Sequence, residues 1–179
     1  MNVRRRARGT ARSGQPKLRV GKRAAVHLGV AAVCRNSDGA ILLGRRRDTD
    51  LWDLPAGAVL SGEAPWDAVR RELREETFLD GVVIALTGVY LVPAGNELLL
   101  VFSVDIAPTA PRPSDEFTSF SFVSPDHLPP DLSPKRARQI LDAVSLGAPA
   151  LRVLYGPLRP AGPPTIGRAA AGDAPGRLL

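Results

Sequence analysis

Three glutamates close together in the sequence are the residues of this chain that most clearly could do chemistry. On a helix projected at about 100° per residue with Glu72 at zero, Glu75 falls at about 300° and Glu76 at about 40°, so the three carboxylates share one face. Like charges at i and i+4 destabilise a helix by roughly 0.2–0.5 kcal/mol. A hard divalent cation such as Mg²⁺ would turn this repulsion into attraction, because it prefers carboxylate oxygens. A solvated acidic surface fits the same spacing, so both interpretations stay open.

The segment ahead of this helix could bring backbone groups to the carboxylates, because residues 55–57 (Pro-Ala-Gly) and 61–63 (Ser-Gly-Glu) frame a tight loop. The whole segment resembles the Nudix box, which reads Gly, five residues, Glu, seven residues, then Arg-Glu-apolar-x-Glu-Glu-x-Gly-apolar. This chain has Gly57, Glu63 and, over residues 71–79, Arg-Glu-Leu-Arg-Glu-Glu-Thr-Phe-Leu. All the fixed positions match except one, where Phe78 replaces the glycine.

The resemblance to this family implies an α/β fold, with a mixed β-sheet inside an α/β/α sandwich. It also implies a pyrophosphohydrolase that uses Mg²⁺ or Mn²⁺ to cleave a phosphoanhydride bond in a nucleoside diphosphate linked to another group. Glu72, Glu75 and Glu76 would bind the metal, with the backbone carbonyl of Ala56 as a further ligand. Arg71 would orient Glu72 or a neighbour through a charge-assisted hydrogen bond, although a solvated ion pair of little energetic weight also fits it.

Further candidate residues lie outside the helix. Glu116 stands where many family members carry another glutamate, so it and Glu76 are the candidate catalytic carboxylates. Glu116 would be an extra metal ligand or the general base that takes a proton from water, with Asp115 as the competing choice and an ordinary loop acid as an equally compatible interpretation. Three arginines at 45–47 follow a predicted strand and could contact phosphate. We take Arg45 and Gly57 as candidate substrate contacts.

The departure at position 78 makes a structural prediction. A left-handed residue commonly closes a helix, and phenylalanine in that conformation costs about 1 kcal/mol or more. We therefore expect the helix to continue briefly, with the ring of Phe78 packed into the body and Gly81 making the turn. On this interpretation Phe78→Gly would destabilise the fold.

The elements that must position these residues follow from the apolar pattern. A turn signal at 36–39 joins the first two strands as a hairpin, and Ser133, Pro134 and Gly147 are suited to bound the last helix. The predicted strands are 26–34, 40–43, 82–92, 98–106 and 117–123, and the predicted helices are 63–78 and 133–146. This alternation of strands and helices favours an α/β sandwich with a mixed sheet.

Charge is unevenly distributed along the chain. The net charge is +6, but residues 1–24 carry nine basic and no acidic side chains, whereas residues 25–155 carry twelve basic and seventeen acidic ones. We expect a disordered Arg-rich arm at 1–23, a hydrolase domain at 24–155 and a disordered Pro/Gly-rich tail at 156–179. The arm has no aromatic residues, so we do not expect specific nucleic-acid binding. No stretch approaches the ~20 apolar residues of a membrane span.

Compartment, partners and substrate are less constrained by the sequence. Cys34 is the one cysteine, which excludes an internal disulfide and suits a reducing compartment, so we expect a cytoplasmic protein. The expected partner is a nucleotide-type small molecule, with ADP-ribose, nucleoside triphosphates and dinucleoside polyphosphates all open, and a homodimer is compatible with the chain. The alternative function is a non-catalytic domain of the same family that binds a nucleotide or a protein.

Overall fold

A mixed β-sheet lies between two helices and forms the frame of the molecule. The structure is a computed structural model and describes residues 25–145 and 147–155. Six strands follow the order β3-β2-β1-β6-β5-β8, while β4 pairs with β1 and β7 with β2. The β1–β6 and β5–β8 pairs are parallel and the other pairs are antiparallel. The strands are β1 (His27–Arg35), β2 (Ile41–Arg46), β3 (Trp52–Asp53), β4 (Ala56–Ala58), β5 (Gly81–Val92), β6 (Glu97–Ile106), β7 (Phe117–Val123) and β8 (Ala150–Val153), and the helices are α1 (Pro65–Thr77) and α2 (Pro134–Val144).

The central strand β1 supplies both halves of the hydrophobic core. Its successive side chains point to opposite faces of the sheet, so Val30, Ala32 and Cys34 pack on the side of α1, while Ala31 and Val33 pack on the side of α2. The α1 layer contributes Ala68, Val69 and Leu73, and the α2 layer contributes Ile140. The predicted α/β/α sandwich is therefore confirmed. Burial also raises the pKa of the Cys34 thiol to about 12.

Most of the predicted elements are present, with shifted ends. The strand at 117–123 has the predicted bounds, and α2 begins as expected, since Ser133 Oγ accepts a hydrogen bond from the Arg136 amide and Pro134 follows the cap. The strands β3, β4 and β8 were not predicted. None of the helices in the part of the chain described here is long and apolar enough to cross a membrane. The predicted Arg-rich arm and Pro/Gly-rich tail lie outside the described residues.

The end of α1 differs from the prediction. The helix stops at Thr77, and Phe78 adopts the left-handed conformation with φ 59° and ψ 22° while its amide donates to the Arg74 carbonyl. The buried Thr77 hydroxyl donates to the Leu73 carbonyl (2.6 Å) and accepts from the Leu79 amide (3.2 Å), which closes the helix at this point.

The reason for the difference lies in the residue that follows. Leu79 is buried in the core on the α1 side, and the left-handed turn at Phe78 directs the chain there. The predictions that the helix continues, that the ring is packed away and that Gly81 makes the turn were wrong. Gly81 instead opens β5, where a Cβ would lie 2.5 Å from Val104 Cγ1, so close packing explains this glycine.

Candidate active site

The predicted carboxylate face of α1 meets the short strand β4. Because β4 pairs with β1 through Val30↔Gly57 and Ala31↔Ala56, its backbone is fixed against the sheet and lies beside the helix. At Gly57 the approach is so close that a Cβ would lie 2.1 Å from Glu72 Cδ. The fold thus brings the candidate residues Ala56 and Gly57 directly to the glutamates.

Glu76 is the buried member of the three glutamates, with only 3% of its surface exposed. Its Oε2 atom accepts a hydrogen bond from the Ala56 amide (2.9 Å), whereas its buried Oε1 atom has no hydrogen-bond partner among the described residues. The pKa of this carboxyl is raised to about 9, mainly by burial and also by the nearby acids Glu116 and Glu72, while the Ala56 amide opposes the shift. Such a group is poised either to hold a proton or to bind a cation that compensates its charge.

Arg71 ties the glutamate face to the loop ahead of the helix. Its Nη1 atom donates to Glu72 Oε1 (2.8 Å) and Glu75 Oε2 (3.1 Å), and its Nη2 atom donates to the carbonyl of Ala58 (2.9 Å). Its Nε and Nη2 atoms form a bidentate pair with Glu63, at 2.8 and 3.0 Å. These hydrogen bonds lower the pKa of Glu63 to about 2 and raise that of Arg71 above its ordinary value.

A cleft of about 470 Å³ opens beside this face. Glu116 lies on one wall of this cleft, half exposed and near Glu76, whose pKa it helps to raise, with Arg46 Nη1 3.4 Å from its Oε2 atom. Arg47 holds that wall, because its guanidinium donates to the carbonyls of Ser114 (2.9 Å) and Asp115 (3.2 Å) and its amide donates to the Glu116 carbonyl. The cleft is lined by Arg47, Glu72, Glu75, Glu76, Phe78, Pro113, Ser114, Asp115 and Glu116.

Arg45 is a candidate substrate contact that does not line the cleft. Its guanidinium pairs with Asp50 and Asp131 and lies 5.4 Å from the ring centroid of Trp52. Among the three consecutive arginines it is Arg47 that lines the cleft. The sequence offered no signal to choose between Arg45 and Arg47, because alternation along a strand would put both on one side. The strand ends at Arg46 after a register shift, so Arg47 leaves that pattern.

The donor set has the chemistry that a hard divalent cation requires. The candidates are carboxylate oxygens, and the unpartnered Oε1 of Glu76 leaves a buried acceptor that a cation would satisfy. In the conformation of the described residues no three acidic, His or Cys side chains converge on one point, because Glu72 and Glu75 both turn toward Arg71. The residues thus fit a cation in type, and a cation would compete with Arg71 for Glu72 and Glu75.

A second cavity, of about 250 Å³, lies where α2 begins against the sheet. Trp52, Gln139 and Lys135 line it, and within the described part of the chain the buried Lys135 amine has no hydrogen-bond partner. Arg46 lines this cavity and also contacts Glu116, which lines the cleft, so one side chain links the two spaces. Sequence reasoning missed this cavity, since its walls come from segments far apart in the chain.

Comparison with known proteins shows which family and which fold this chain resembles. The NUDIX domain model matches residues 25–144. A MutT-like protein of Streptomyces ambofaciens is 35% identical over 123 residues, which cover 69% of this chain and 80% of that protein. A putative 8-oxo-dGTP diphosphatase of Bacillus subtilis (strain 168) is 37% identical over 115 residues, which cover 64% and 77% respectively. An ADP-ribose pyrophosphatase structure from Streptococcus suis 89-1591 shares the fold, with a TM-score of 0.59, 23% identity and coverage of 72% of this chain and 99% of that one.

Proposed function

This chain belongs to the Nudix hydrolase family, and we propose that it is a metal-dependent pyrophosphohydrolase that cleaves a phosphoanhydride bond of a nucleoside triphosphate. The observation that carries this proposal is Glu76, whose buried and unpartnered Oε1 atom borders a cleft shared with three more glutamates. A buried carboxylate without compensation is costly, and a divalent cation is the compensation that suits these oxygens.

The residues would divide the work as follows. Glu72, Glu75 and Glu76, with the Ala56 carbonyl, would hold Mg²⁺ or Mn²⁺, which when bound neutralises the diphosphate and lowers the pKa of a water. Arg71 orients Glu72 and Glu75 through its hydrogen bonds. The carboxylate of Glu116, in the same cleft, would accept the proton of the attacking water.

The nucleoside part of the substrate would occupy the cavity beside α2. Trp52 offers a surface for a base and Gln139 and Lys135 offer polar contacts. Arg46 lies between this cavity and the cleft, so a nucleoside there would direct its phosphates toward the glutamates. The relative named as a putative 8-oxo-dGTP diphosphatase supports a triphosphate, with ADP-ribose as the second substrate class to test.

A hydrolysis panel with the products separated by anion-exchange chromatography tests the proposal, because cleavage between two phosphates can release pyrophosphate or a phosphomonoester rather than free phosphate. The purified protein would be assayed with Mg²⁺ and with Mn²⁺ against nucleoside triphosphates including oxidised ones, ADP-ribose, nucleotide sugars and dinucleoside polyphosphates. We expect turnover of at least one triphosphate that EDTA abolishes and that Glu76→Gln strongly lowers. Saturable Mn²⁺ binding that weakens in Glu75→Gln and Glu76→Gln is expected in parallel. Nucleotide binding without turnover of any compound would support the alternative, a non-catalytic nucleotide-binding domain.

A further inference from the structure

A bulky residue occupies a strained backbone position at the rim of the cleft. Phe78 has a φ of 59°, a conformation that L side chains with a Cβ rarely adopt. Burial of the ring does not offset the cost of this backbone strain, since 48% of the residue remains exposed. Strain of this kind persists only where the surroundings hold it, and it is concentrated at functional positions. The contacts of the ring therefore need an explanation.

Arg112 is the partner of this ring. Its guanidinium carbon lies 4.5 Å from the ring centroid of Phe78, within the range of a cation–π interaction. The Arg112 amide also donates to the carbonyl of Thr77 (3.0 Å), the last residue of α1. Two contacts through one residue thus fasten the connection between β6 and β7, residues 107–116, to the end of the helix.

This connection must be held in place, because it brings carboxylates close to other carboxylates and like charges repel. It ends in Asp115 and Glu116, which line the same cleft as the three glutamates of α1, and among the described residues Arg47 is the one basic side chain in that lining. Arg47 fastens the connection at Ser114 and Asp115. The contacts of Arg112 fasten it on the other side of Pro113, so the segment that leads into Glu116 is fixed at two places.

We propose that Phe78 is a positioning residue: its ring, through Arg112, holds the 107–116 connection so that Glu116 lies near Glu76 in the cleft. Phe78 lines the same cleft, and the proposed role of its ring runs through Arg112. Its effect on rate rests on the proposed function, whereas its effect on the connection does not. A glycine at position 78 would remove the backbone strain and the ring contact, and would leave the hydrogen bond between the Arg112 amide and Thr77.

The test separates these two effects with a small set of variants. Phe78→Gly and Phe78→Asn both suit the left-handed conformation and both lack the ring, while Phe78→Tyr keeps the ring. Arg112→Ala removes the guanidinium but keeps the amide that bonds Thr77. Hydrogen exchange over residues 107–116 is measured in these four variants, in the double variant Phe78→Gly/Arg112→Ala and in the unaltered protein, followed by kcat and KM with the best substrate of the panel.

We expect the exchange rate over 107–116 to rise and kcat to fall together, each by about 2- to 5-fold, in Phe78→Gly, Phe78→Asn and Arg112→Ala, the range that an exposed cation–π contact supports. KM should stay unchanged. Phe78→Tyr should keep both the exchange rate and kcat at the values of the unaltered protein. The double variant Phe78→Gly/Arg112→Ala should show no larger change in either readout than each single variant. Unaltered exchange over 107–116 in Phe78→Gly and Arg112→Ala would overturn the proposal. If the unaltered protein hydrolyses nothing, the proposed function fails while the exchange result still decides this inference.

Discussion

Gly57 and Glu72 are in such close contact that no side chain larger than hydrogen fits between them, since a Cβ at position 57 would lie 2.1 Å from Cδ and 2.2 Å from Oε1 of Glu72. The clash is with a carboxylate that Arg71 also holds in place, so relief would require Glu72 to leave its position. The glycine therefore defines where this carboxylate can be.

Gly57→Ala should displace the Glu72 carboxylate and weaken metal binding and turnover. We expect about tenfold weaker Mn²⁺ binding or more, comparable to the loss of a group that orients a metal ligand. Gly95→Ala is the matched control, because a Cβ there meets nothing closer than 3.8 Å. Titration with Mn²⁺ measures the effect, and equal affinity in the two variants would show that Glu72 is not a ligand.

Glu76→Gln should change how the stability of the metal-free protein depends on pH. The pKa of Glu76 is raised to about 9 from the ordinary 4.5, so the folded state binds more protons than the unfolded state between these values. The free energy of unfolding then falls as pH rises through this window. Glutamine stays neutral, so the melting temperature of Glu76→Gln relative to the unaltered protein in EDTA should increase from pH 5 to pH 8. A constant difference would contradict the buried, uncompensated carboxyl.

Arg71→Lys should lower activity although it preserves the charge. A lysine cannot reproduce the bidentate pair with Glu63 or reach Glu72, Glu75 and the Ala58 carbonyl at once. Loss of one such charge-assisted hydrogen bond costs about 1.5–3 kcal/mol, or roughly a tenfold to hundredfold decrease in kcat. Arg70→Lys, on the exposed side of the helix, is the control. Equal kcat in the two variants would mean that Arg71 acts only as a charge.

Arg45→Ala and Arg47→Ala should have different kinetic effects. Arg45 is engaged by Asp50 and Asp131, so we expect its removal to lower the melting temperature slightly and leave KM unchanged. Arg47 fastens the wall that carries Glu116, and its removal should lower kcat. An increase in KM for Arg45→Ala would favour the original expectation that Arg45 contacts the substrate.

Helical periodicity predicted more of the site than any other feature of the sequence. It placed the three glutamates on one face. It also indicated which of them is buried, because on the same projection Glu76, at about 40°, lies next to the apolar side of the helix, which begins with Val69. That neighbourhood explains why Glu76 is the buried one. Helical periodicity could not predict the pairing of Arg71 with Glu63, because Glu63 lies before the helix and a turn separates the two.

The errors came from contacts between distant segments. Nothing near Phe78 in the sequence indicates that Arg112 will lie over its ring or that the Arg112 amide will bond the end of α1. Tertiary contacts, not the local cost of a left-handed phenylalanine, decided the conformation. Similarly β8 has four residues of mixed exposure, and its pairing with β5 depends on where α2 delivers the chain.

Cys34 gives this protein a practical property. The chain has a single thiol, and it is fully enclosed within the sheet with a pKa raised to about 12, so maleimides and spin-label reagents will find almost no thiolate there. Any cysteine introduced at the surface becomes the one reactive site without further engineering. A label at the exposed Thr109 would then report spectroscopically on the motion of the 107–116 connection as nucleotide and metal are added.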